Sequence, residues 1–116
     1  MPKIRVPREI QILAKRAIDY NLEQPISKRA SYKDSKGKRV PGTGMKTARR
    51  LASGSVDLPQ LELMAAWFAR HKESEGSAKA RQDKTSKAAI AWALWGGSPG
   101  SRWVKRAIRK LRSEDK

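Results

Sequence analysis

The chain has 116 residues and carries 27 Lys and Arg against 11 Asp and Glu, which gives a formal net charge of +16. A chain of this length forms one ordinary domain and leaves no room for a large enzyme architecture. Because cysteine is absent, disulfides, thiolate catalysis and Cys-based zinc sites are excluded. The longest apolar run, residues 88–95, is too short to span a bilayer, and we expect no secretory signal peptide because the N-terminus has no apolar segment.

Hydrophobic periodicity predicts a first helix that starts at Pro7 and fades near residues 21–22. One helical face carries the apolar residues Ile10, Leu13, Ala14 and Ala17. The following segment, residues 27–43, has six basic residues, one acidic residue and no regular periodicity. We therefore expect it to be a flexible basic loop, with a short hairpin centred on residues 35–37 as the alternative.

The next two helices have clear start and stop signals. A short second helix is predicted for residues 44–53, because Gly54 is a natural C-terminal stop. The third helix is expected to begin at Asp57, which can cap it, and Gln60 lies three residues later to complete a capping box. Apolar residues cover more than half of its circumference, so this helix is predicted to be largely buried.

The C-terminal third is predicted to form a polar connection over residues 73–86 and two further helices, the first of them capped by Ser86 or by the threonine before it. In the fourth helix, residues 88–95 are apolar on every side, which is typical of a helix surrounded by others, so we expect it at the centre of the fold. The fifth helix starts near Pro99, and residues 113–116 form a polar tail. The predicted fold class is all-α.

In this interpretation residues 1–116 form one small single-domain bundle of about five helices with a basic loop. Catalysis is not expected. His71 is the sole histidine and lies at the end of an apolar helical face, where an imidazole is normally a packed structural group. No Walker-type phosphate loop is present, and we expect neither a metal nor a cofactor.

Tryptophans among basic residues also suggest a platform for unpaired bases. Trp67, Trp92 and Trp95 lie within apolar helical segments, which favours core packing. Trp103 lies between the apolar and basic faces of the fifth helix, and core packing is again favoured over stacking. A helix-turn-helix over residues 48–67 is rejected, because its second helix begins with apolar and acidic residues where base-reading side chains belong.

Two basic clusters carry the functional prediction. Residues 102–112 contain six basic residues and no acid, whereas a merely solubilising surface mixes both signs. Cations at this density neutralise backbone phosphates and give affinity without sequence preference. The predicted nucleic-acid-binding residues are those of the C-terminal helix, with three from the loop: Arg102, Lys105, Arg106, Arg109, Lys110, Arg112, Lys36, Lys38 and Arg39.

Three motifs resemble a small module of tailed bacteriophages, which occurs free-standing or fused to head-assembly and other phage proteins. They are residues 48–54 (ARRLASG), residues 64–71 (MAAWFARH) and residues 90–97 (IAWALWGG), the last followed by Gly100 and Trp103. The resemblance covers residues 44–104 well and residues 7–21 loosely. It implies a phage origin and no particular activity, and the basic insertion at residues 27–43 and the basic tail depart from the pattern.

The leading hypothesis is a phage-encoded, non-catalytic protein that binds nucleic acid, DNA above RNA, through the phosphate backbone and without sequence specificity. The first alternative is a virion structural or assembly protein that contacts acidic phage head partners or packaged DNA. The second is an early phage protein that binds a host enzyme. We expect no membrane association, and a location in the host bacterial cytoplasm or the virion.

Overall fold

The computed structural model describes residues 3–72, 81–83 and 86–114, of which about 70% are helical. The four longer helices and one eight-residue helix are α1 (Arg8–Glu23), α2 (Thr43–Ser53), α3 (Leu58–Lys72), the short α4 (Lys87–Leu94) and α5 (Gly97–Glu114). Two small antiparallel sheets pair β1 (Ile4–Arg5) with β4 (Ser55–Val56) and β2 (Tyr32–Ser35) with β3 (Lys38–Pro41).

The prediction of a mostly helical fold is confirmed, but that of a purely all-α bundle is wrong, because the described residues include two small sheets. Four of the described helices are longer than eight residues, and α4 has eight. The helix stop signals were predicted well. The second helix ends at Gly54, whose φ of 105° lies in the left-handed region that favours glycine.

The prediction of a flexible loop at residues 27–43 is also wrong, and the alternative of a hairpin centred on residues 35–37 is confirmed, because most of this segment forms the β2–β3 hairpin after a single 3-10 turn (Ile26–Lys28). Lys36 and Gly37 have φ angles of 53° and 80° at the tip. Two central residues with positive φ form the turn whose twist matches a two-residue hairpin. The strands were not the favoured prediction because neither shows an alternation of apolar and polar residues along its length.

The segment before the hairpin is tied to the end of α1. The fully buried Asn21 accepts the backbone N–H of Ala30 at 2.9 Å and donates from Nδ2 to the Ala30 carbonyl at 3.0 Å. The Arg29 guanidinium donates to the carbonyls of Leu22 and Gln24. Because these contacts satisfy backbone groups at the entrance, the hairpin starts from a fixed position.

The core lies where α1 packs against α2 and where α3 packs against α5, with α4 contacting α1, α2 and α5. The prediction that α4 is central is confirmed in part, since it contacts three other helices but is not covered on every side. Only Ile90 and Leu94 of this helix are buried, and Trp92 is half-buried, with the Arg81 guanidinium 4.0 Å from its ring centroid. The alanines that made the segment look apolar all round have little surface to bury, so they do not require a complete apolar environment.

Helix N-termini follow the predicted caps in part. The Gln60 N–H donates to Asp57 Oδ1 at 3.0 Å, and the Ala89 N–H donates to Ser86 Oγ at 3.1 Å. The Gln60 side chain does not complete the expected capping box. It instead donates to Thr47 Oγ1 and accepts from Arg50, so it links α3 to α2.

Substitution of Gly44 in α2 provides a test of the contact between the hairpin segment and α2. A Cβ at Gly44 would collide with Ser31 Oγ and would lie 2.9 Å from Ser31 Cβ and 3.0 Å from Trp95 Nε1. We expect Gly44→Ala to destabilise the fold by about 1–3 kcal/mol, opposite in sign to the usual gain from alanine in a helix. Urea unfolding measures this change.

The second variant, Ser31→Gly, removes the closer of the two side chains that Gly44→Ala would meet and suits the positive φ of 54° at this residue. The double variant should therefore recover part of the lost stability, because Trp95 Nε1 stays 3.0 Å from the new Cβ. Equal stability of Gly44→Ala and wild type, or no recovery in the double variant, would contradict the close approach.

Candidate nucleic-acid interface

Helix α5 is held to the fold by one apolar face. Trp103, Val104 and Ile108 are buried, with exposed fractions of 7%, 0% and 9%, and Ala107 and Leu111 are half-buried. These positions recur at three- and four-residue spacing, so they form a single stripe on the helix. The stripe faces α3 and the rest of the core, which fixes the direction of the opposite face.

The opposite face carries all six cations predicted on this helix, and every one is exposed. At about 100° per residue they lie within an arc of about 160° and along about 15 Å of helix axis. None forms an ion pair or hydrogen bond with another described residue. We call this set the basic face of α5: Arg102, Lys105, Arg106, Arg109, Lys110 and Arg112.

Electrostatics within the basic face oppose helix formation and favour an anionic ligand. Like charges repel at i,i+4, as in the pair Arg106 and Lys110, and each such pair costs about 0.2–0.5 kcal/mol. The helix dipole offsets part of this cost, because the last turns attract cations. An anion that bridges the cations would remove the remaining repulsion, so binding and helix stability are coupled.

The three predicted hairpin cations lie apart from the basic face of α5. Lys36 is in the turn, Lys38 and Arg39 are in β3, and all three are exposed. Arg39 stands opposite the acidic Asp34 in the strand register, which lowers the local positive charge. The hairpin packs against α2, whereas α5 packs against α3, α4 and α1. The structure thus brings the six helical cations onto one face and leaves the hairpin cations on another element.

Two cations that the sequence analysis missed stand beside the basic face. Lys3 precedes β1 and Arg5 lies in it, and both line a groove of about 450 Å³ together with Arg106 and Lys110 of α5. The sequence carries a weak signal for them, an alternation of charged and apolar residues over residues 3–6. What could not be predicted is that β1 runs next to α5, because its partner strand β4 lies about fifty residues away.

The aromatic residues form packed contacts. Core packing is confirmed for Trp95 and Trp103, which are 3% and 7% exposed. Trp67 is half-buried and lies parallel to Trp95, with ring centroids 4.7 Å apart. Phe68 meets Trp92 edge to face at 5.0 Å. A buried or stacked ring offers little open face, so these tryptophans supply no platform for unpaired bases.

His71 lies against Trp67, with ring centroids 4.3 Å apart, and its backbone carbonyl accepts a hydrogen bond from Arg81. The imidazole therefore packs at the end of α3, as expected. Within residues 3–72, 81–83 and 86–114, no cluster of three His, Asp or Glu residues is placed to hold a metal ion. Among the helices of this same part of the chain, none is long and apolar enough to cross a membrane.

Comparison of the chain with protein-family models, with curated protein sequences and with solved structures gives no significant match.

Proposed function

We propose that this protein is a phage-encoded, non-catalytic, non-sequence-specific nucleic-acid-binding protein, which binds through the basic face of α5 with the hairpin as a second basic surface. The observation that supports this proposal is the basic face itself. Six exposed cations share one side of a helix, with no acidic side chain among them and no partner among the described residues. The phage origin in the proposal rests on the motif resemblance.

Phosphates are the ligand that suits this arrangement best. Nucleic acid carries closely spaced negative charges, and cations that neutralise them release condensed counterions, which drives binding. The face carries arginine and lysine alone, without the Asn or Gln side chains that read adenine, so guanine is the only base that its side chains suit. We infer that these cations contact the phosphate backbone instead, where contacts position the protein and carry no sequence information.

The salt dependence of binding tests the proposal. If all six cations contact phosphate on a duplex, the slope of log K against log salt is about −5, since each contact contributes about −0.9. We expect the affinity for a fluorescent duplex to fall about a thousandfold between about 50 and 200 mM salt. Fluorescence anisotropy measures this fall. Absence of binding to both a duplex and a single strand at about 50 mM salt would overturn the proposal.

A further inference from the structure

The groove between β1 and α5 is the second site at which the structure gathers cations. Lys3 and Arg5 line one wall, and Arg106 and Lys110 line the other. All four side chains are exposed. The groove encloses about 450 Å³, which is within the range of about 300–1,000 Å³ typical of sites for small ligands.

The floor of this groove is apolar. The half-buried Ile4, Ala107 and Leu111 leave part of their surface open to the groove, and Trp103 below them is 7% exposed. When a ligand covers apolar surface that is in contact with water, binding becomes more favourable by about 25 cal/mol per Å² covered. The groove therefore suits a ligand that carries both negative charge and an apolar surface.

The first wall is fixed without any ligand. In β1, Ile4 pairs with Val56 and Arg5 pairs with Ser55, and the Val6 N–H donates to the Gly54 carbonyl at 2.9 Å. The second wall is a helix whose apolar face is packed in the core. Both walls are thus preorganised, so binding carries no entropic cost for ordering them.

A single strand of nucleic acid matches this combination better than a duplex does. A duplex presents its phosphates outward and keeps the faces of its bases stacked inside, so it contacts the basic face of α5 and does not enter the groove. A single strand offers phosphates and unpaired bases together. An acidic peptide also matches the charge, but Arg106 and Lys110 belong both to the groove and to the basic face of α5. A backbone bound along that face therefore enters the groove without a break.

We propose that the groove between β1 and α5 binds single-stranded nucleic acid, with phosphates on Lys3, Arg5, Arg106 and Lys110 and an unpaired base on the apolar floor. This inference rests on the proposed function and gives it a preference for single strands over duplexes. Lys3 and Arg5 determine that preference, because they contact the single strand and stand outside the basic face of α5.

The test compares wild type with Lys3→Ala/Arg5→Ala by fluorescence anisotropy, on a labelled single strand and on its duplex at about 50 mM salt. The double variant is expected to raise the Kd for the single strand about tenfold and to reduce its salt slope by about 1.4, since each single-strand phosphate contributes about 0.7. The Kd for the duplex should change less than about twofold. Lys15→Ala/Arg16→Ala is the matched control, because it removes the same two positive charges from exposed positions on α1 that lie outside the groove. It should change neither the Kd for the single strand nor the Kd for the duplex.

An abasic single strand tests the floor separately. It keeps the phosphates and lacks the bases, so the apolar floor stays in contact with water and the strand should bind wild type about tenfold more weakly than the normal strand. Equal binding of the two strands, or an equal loss in the groove variant and the α1 control, overturns the groove and leaves the proposed function standing. Tighter binding of poly-glutamate than of the single strand, lost in the groove variant, assigns the groove to acidic peptides and also overturns the inference. Failure of wild type to bind any nucleic acid overturns both proposals.

Discussion

Replacing Arg106, Arg109 and Lys110 by alanine is expected to weaken binding to a duplex by about 10²- to 10³-fold at about 50 mM salt. The three side chains lie on the exposed face of α5, so their removal takes away half of the cations on that face. The salt slope should flatten by about three, because each lost phosphate contact contributes about 0.9. Fluorescence anisotropy over a series of salt concentrations measures both quantities.

The matched control for this variant removes the same charge elsewhere. Lys15, Arg16 and Arg49 are exposed on α1 and α2, and none lines a groove beside α5. Their replacement by alanine should change the affinity by less than about threefold and leave the salt slope unchanged within about half a unit. A similar loss in the two triple variants would mean that net charge alone attracts the nucleic acid. A full slope in the α5 variant would place the contact surface on another element.

Phe68→Ala is expected to have the largest effect on stability, a loss of about 3–5 kcal/mol. The ring is 2% exposed and meets both Trp67 and Trp92 edge to face, at centroid distances of 5.4 and 5.0 Å. Its removal leaves a cavity between α3 and α4 and deletes two aromatic pairs. A domain of ordinary stability, about 5–15 kcal/mol, would lose a large share of its free energy of unfolding.

Leu63→Ala on the same helix is the control for that prediction. Its side chain is 40% exposed, so truncation should cost less than about 1 kcal/mol. Urea unfolding of the two variants gives the comparison. A cost below about 1 kcal/mol for Phe68→Ala would show that the aromatic cluster is not part of the folded core.

Periodic helices with sharp ends could be predicted from the sequence. Gly54 ends α2 and Ser86 caps α4. Both effects depend only on residues that are close in the sequence, so a local pattern is enough to predict them. The basic face of α5 was predictable for the same reason. Its cations and its apolar residues alternate at helical spacing, so one assignment fixes which side is buried and which is exposed.

Long-range and weakly patterned features could not be predicted. The hairpin strands carry charge on half of their residues, and their order comes from tertiary contacts such as those of Asn21. The degree of burial of α4 also depends on the elements packed against it. Its alanines count as apolar in the sequence, but they have too little surface to require full burial. The groove at Lys3 and Arg5 depends on the pairing of β1 with β4, which no local pattern indicates.

Lysine acetylation in the presence and absence of a saturating duplex tests most directly whether the basic face of α5 contacts nucleic acid. Lys105 and Lys110 lie on that face, whereas Lys15 and Lys46 are exposed on α1 and α2 and serve as internal references. Mass spectrometry of the modified chain should show about tenfold slower acetylation of Lys105 and Lys110 in the complex, and unchanged rates at the two references. Equal protection of all four lysines, or protection of Lys15 and Lys46 alone, would contradict a binding surface on α5.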